Sequence, residues 1–82
     1  MQMNLIQGQF EKNDALHLIT QFVHAKIRYH EDKIAQSANE EDIKMRENRI
    51  KELQRDLYEL RKALDAQSSS LSLQAKLEID GI

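Results

Sequence analysis

The stretch IKMRENRIKELQRDLYELRKAL, residues 43–64, places Ile43, Ile50, Leu57 and Leu64 seven apart, with Leu53 and Leu60 three residues after two of them. A heptad repeat of this kind lays one apolar stripe along an α-helix, and the stripe is a surface for packing against another helix. Arg46 and Gln67, at the flanking d positions, are polar, so the seam is expected to fray at both ends.

The partner helix lies upstream. The chain has no Pro, and its two Gly, Gly8 and Gly81, sit near the ends, so nothing punctuates the middle. Leu16, Ile19, Val23, Ile27, Ile34 and Ala38 recur close to the helical repeat, with His30 in the gap, and predict a helix over about 11–36. Glu11 and Asp14 place negative charge on the free N–H groups of its first turn, and Phe10 is positioned to staple onto Ala15. Ser37, Ala38 and Asn39 form the turn. Either Ser37 with Glu40 or Asn39 with Asp42 makes a capping pair, and the acids Glu40, Glu41 and Asp42 favour a helix start there. The second helix spans about 40–66, with a linker over 67–70.

So short a turn makes the helices antiparallel neighbours, and opposing residue numbers then sum to about 77. Ile34 faces Ile43, Ile27 faces Ile50, Val23 faces Leu53, Ile19 faces Leu57 and Leu16 faces Leu60. His30 falls opposite Arg46 and Glu47, so the polar interruptions coincide.

The ends follow a different period. Leu71, Leu73, Ala75, Leu77 and Ile79 alternate with Ser72, Gln74, Lys76, Glu78 and Asp80, the signature of a strand over about 71–80 with one buried face. Residues 3–10 form a weaker strand, with Ile6 and Phe10 on one side, Met3 and Leu5 on the other, and Gly8 interrupting. Because the helical hairpin returns the chain to its start, the strands pair antiparallel. The expected fold is one mainly α domain over 1–82, a coiled-coil-like β-α-α-β hairpin.

A two-stranded ribbon is at best marginally stable in water, and a chain of 82 residues buries only roughly 60% of its unfolded surface. Leu18, Phe22, Ala25 and Tyr29 add a second apolar stripe on the first helix, beside the one already used. This surplus predicts a homo-oligomer, most simply a two-fold dimer, with Leu18, Phe22, Tyr29, Leu73, Leu77 and Ile79 at the interface.

Composition narrows the function. There is no Cys, hence neither disulfides nor thiolate metal sites. No secretory leader and no apolar run of ~18 residues stands out, which points to a soluble cytoplasmic protein. A net charge of −2 with both signs interspersed gives no general attraction to nucleic acid or to an anionic membrane.

His17 and His24 lie two turns apart on one helix face, too far to share one ion within a single chain, and read as a polar face. His30, on the apolar stripe, reads as a satisfied half-buried histidine and as the most pH-sensitive group. Lys44, Lys51, Arg55 and Lys62 form a basic stripe on the second helix, with Tyr58 beside it. Glu52, Glu59 and Asp65 cancel part of its field, so it reads as a solvated, salt-bridged face. Ser68, Ser69 and Ser70 lack the Gly-rich turn of a nucleophile elbow or phosphate loop. Met45 has no place in the intrachain seam.

No catalytic site, cofactor or metal is implied. The expected function is a non-enzymatic, self-associating module for a protein partner, in regulation or assembly. The alternative is weak nucleic-acid binding through Lys44, Lys51, Arg55 and Lys62.

Overall fold

A computed structural model describes residues 1–66 and 70–81. The order is β1 (Gln2–Glu11), α1 (Lys12–Gln36), α2 (Glu40–Asp65) and β2 (Ser70–Glu78), the β-α-α-β hairpin expected from the periodicities. Of the expected linker, residues 67–69 lie outside the described residues, and Ser70 already belongs to β2.

Of the two capping pairs open in the sequence, Asn39 with Asp42 forms, the Asp42 N–H donating to Asn39 Oδ1 at 3.1 Å. Ser37 has a different task. Its N–H donates to the Ile34 carbonyl at 3.1 Å, and its hydroxyl accepts from the Asn39 N–H at 3.2 Å. Ser37 and Asn39 thus satisfy backbone groups of both helix ends. At the start of α1, Glu11 is the N-cap residue but makes no side-chain cap bond, leaving Asp14 to favour the first turn through the helix dipole.

The seam of α2 supplies most of the core, and Ile6 of β1 and Ala15 of α1 supply the rest among the described residues. Leu53, Leu57 and Leu64 are buried, and Ile43, Ile50 and Leu60 are half-buried. Leu16, Ile19, Val23, Ile27 and Ile34 of α1 are half-buried in turn, whereas Ala38 is exposed in the turn. Arg46 does not fray. It reaches His30 across the hairpin and Asp42 along its own helix, so this end of the seam closes on a polar contact.

The strands form a two-stranded antiparallel sheet whose pairing is sorted by polarity. Met3–Leu77, Ile6–Ala75, Gly8–Leu73 and Phe10–Leu71 lie on one face, and Gln2–Glu78, Asn4–Lys76, Gln7–Gln74, Gln9–Ser72 and Glu11–Ser70 on the other. This corrects the expected placement of Met3 on the side opposite Ile6. The register shifts between Asn4 and Ile6, leaving Leu5 as the unmatched residue of a β-bulge, and one extra residue reverses the alternation before it. Without the bulge Met3 would point among glutamines. Gly8 has φ of 146°, which an L side chain rarely adopts, while a Cβ there would meet only the Phe10 ring at 4.0 Å. Backbone conformation, not lack of space, calls for glycine at this position.

Ribbon and hairpin meet at α1, where Ile6 of β1 and Ala15 of α1 are buried. No Cα of α2 comes within 8 Å of either strand, and the ribbon meets the helices only through α1. Helices of about 38 Å and strands of about 30 Å would overrun the longest dimension, 46 Å, if laid end to end, so ribbon and hairpin overlap along it. The radius of gyration, 15.5 Å, exceeds the about 12 Å of a compact chain of this length.

Candidate functional site

The site with the least explanation inside one chain is the apolar face of the ribbon. On β2, Leu71, Leu73, Ala75 and Leu77 are each half-buried and their neighbours exposed, an alternation without a break. Across the ladder Phe10 is half-buried, Met3 is 42% exposed, and Ile6 alone is buried. Ile79 follows β2 and is half exposed, although its backbone is held by reciprocal bonds with Met1 of 2.8 and 3.0 Å.

The second stripe of α1 lies similarly open. Leu18 is half-buried, while Phe22, Ala25 and Tyr29 are exposed. Tyr29 has local company: its ring meets that of His30 edge-on at 5.4 Å, and Lys33 and the Arg46 guanidinium each stand 5.8 Å from its centre. Of the six residues expected at an interface, Leu73 and Leu77 share the ribbon face. Leu18, Phe22 and Tyr29 lie on α1, and Ile79 lies past the end of β2.

His30 is the electrostatic centre of the hairpin. The Arg46 Nη1 donates to His30 Nδ1 at 3.1 Å, and Arg46 Nε donates to Asp42 at 3.3 Å. A guanidinium has no acceptor, so His30 Nδ1 must offer a lone pair, and a neutral ring carries its proton on Nε2. That Nε2 is buried without a hydrogen-bond partner among the described residues. Burial first, then the charges of Arg46, Lys26 and Arg49, lower the His30 pKa below its ordinary 6.5.

Between pH 6.5 and the lowered folded value, the unfolded chain holds a proton that the folded chain does not, so stability falls as pH drops through that window and is complete above it. Urea unfolding at pH 7.5 and 5.5 should therefore show a smaller loss for His30→Gln, which cannot titrate, than for the intact chain. Equal losses would remove His30 as the sensor.

The basic stripe stands differently from its expectation. Lys44, Lys51, Arg55 and Lys62 are exposed, and the ion pairs among the described residues are Arg46–Asp42 and Arg49–Glu52, so the stripe is solvated but not salt-bridged. Lys62 caps the Tyr58 ring at 4.7 Å. His17 and His24 are exposed on α1, and among the described residues no group of three or more His, Cys, Asp or Glu is placed to hold a metal. Open grooves flank the hairpin, one of about 400 Å³ along His24, Arg28, Gln54, Tyr58 and Arg61, the other of about 580 Å³ along Lys26, His30, Arg46 and Arg49.

Sequence reasoning missed the bulge. Its signal was present, since the adjacent apolar residues Leu5 and Ile6 break a period of two that otherwise holds on both sides. No protein-family model, curated protein or solved structure matches this chain. No helix among the described residues is long and apolar enough to cross a membrane.

Proposed function

We propose that the chain is a non-enzymatic helical-hairpin module of the cytoplasm that associates with itself and, so assembled, presents a surface to a protein partner in regulation or assembly. One observation carries the reading. The chain exposes 6579 Å², whereas a compact monomer of 9.6 kDa exposes roughly 5,100 Å². The excess of roughly 1,500 Å² is more than the about 800 Å² that each partner contributes to a standard specific interface.

The polar groups support the non-enzymatic part of the reading. The His30 lone pair that would accept a proton from a substrate is occupied by Arg46, which in turn holds Asp42. A chain without Cys also gains nothing from an oxidising compartment.

Sedimentation equilibrium tests the proposal. Self-association with a dissociation constant in the micromolar range or tighter is expected, and a folded monomer at about 100 μM, well above the range of specific interfaces, contradicts it. Lys44, Lys51, Arg55 and Lys62 of α2, none of them in an ion pair among the described residues, favour nucleic-acid contact as the second reading. It rests on phosphate attraction alone, so a gel shift at low salt should vanish in the Lys51→Glu, Arg55→Glu double variant.

A further inference from the structure

We infer that two copies of the chain pair antiparallel along the free edge of β2, about a two-fold axis at Gln74, to make one four-stranded sheet in the order β1-β2-β2-β1. The inference rests on the self-association proposed above and names the surface and the partner, a second copy of this chain.

The direction of the backbone identifies the edge. Met1 and Ile79 exchange two hydrogen bonds, so the N–H and C=O of Ile79 point toward β1. Pairing on β2 then runs without interruption, the irregularity falling wholly on β1. By the period of two, the odd residues Leu77, Ala75, Leu73 and Leu71 also turn their backbone groups toward β1. Ser72, Gln74, Lys76 and Glu78 turn theirs outward, where no strand of the described residues stands. The free edge of β2 therefore offers a regular row of donors and acceptors.

The devices that normally block edge pairing are unequally placed. A bulge at Leu5 and a glycine with φ of 146° interrupt β1. Strand β2 has neither, and no proline, and its charges, Lys76 and Glu78, lie on the polar face and not among the apolar side chains. Protection of one edge and openness of the other is the pattern of a sheet that extends on one side only.

The sequence of β2 is also complementary to itself. An axis at Gln74, the centre of Ser70–Glu78, pairs every residue of the strand. Leu71 meets Leu77 of the partner copy and Leu73 meets Ala75, while Ser72 meets Lys76 and Gln74 meets Gln74. Apolar groups meet apolar groups, and no like charges oppose. An axis at Lys76 would set two ammonium groups against each other. The pairing converts a ribbon that is marginal alone into a sheet of four strands with one continuous apolar face.

Two variants of the full chain test the inference. Gln74→Cys introduces the chain's only thiol at the axis, where a hydrogen-bonded pair has Cα atoms about 5.5 Å apart, within reach of a short bis-thiol cross-linker. That reagent should give a covalent dimer on a denaturing gel. Gln7→Cys, opposite Gln74 in the ribbon but on the β1 edge, should remain monomeric on the same gel.

Gln74→Pro removes an outward N–H that the intrachain ladder does not use, so the ribbon is retained while the edge is blocked. The dissociation constant should rise roughly tenfold or more with the helical circular dichroism unchanged. If this variant loses its helical signal, the cysteine pair decides alone. A monomeric intact chain overturns this inference together with the proposed function. An intact chain that associates while Gln74→Cys fails to cross-link, or while a folded Gln74→Pro dimerises unchanged, or in which Gln7→Cys cross-links instead, overturns the β2 edge and leaves self-association standing.

Discussion

Leu57→Ala should lower the stability of the protein by about 2–5 kcal/mol, the range for removing a buried leucine from a core that cannot fully collapse around the gap. Leu57 is 7% exposed in the middle of the α2 seam, where Leu53 and Leu64 are the other buried residues of that helix. With so few buried side chains among the described residues, little neighbouring material is available to refill the space. A domain of 82 residues has only roughly 4–12 kcal/mol of stability, so the loss takes a large share of it. Far-UV circular dichroism during urea unfolding reads the effect at one fixed protein concentration, because association couples to stability. A change below about half a kcal/mol would place Leu57 outside the core, since surface substitutions fall within that range.

Leu77→Lys should weaken self-association by about 1.5–3 kcal/mol, the worth of burying a leucine, which is roughly 10- to 150-fold in dissociation constant. Leu77 is half-buried on the apolar face of β2 opposite Met3, and an ammonium there must be desolvated in any complex that covers the face. The hairpin should survive the change, because the α2 seam packs against α1 and Leu77 lies on β2, outside that seam. Deleting residues 70–82 is the harsher form of the same experiment. It strips β1 of its only partner among the described residues and should yield aggregates or a poorly folded monomer. Unchanged sedimentation of Leu77→Lys would show that the face is not part of the interface, and loss of its helical signal would show that ribbon and hairpin do not fold separately.

The helices, their turn and the pairing of His30 with Arg46 were legible in the sequence, because each depends on spacing along one chain. A heptad repeat, a turn of three residues and equal rise on two helices fix which residues share a face and which oppose, whereas the choice of Asn39 with Asp42 over Ser37 with Glu40 as the cap was made by the fold. The alternation of Leu71 to Ile79 likewise named the apolar face of β2 without reference to any partner strand. Tertiary structure decided the rest. The bulge at Leu5 that turns Met3 onto the apolar face reflects the pairing of two strands some seventy residues apart, where matching polarity across the ladder outweighs strict alternation along it. The open edge of β2 follows from a sheet that holds two strands among the described residues, for which no local period codes. The buried Nε2 of His30, without a partner among the described residues, depends on which ring nitrogen Arg46 reaches, and that is settled only when the two helices close on each other.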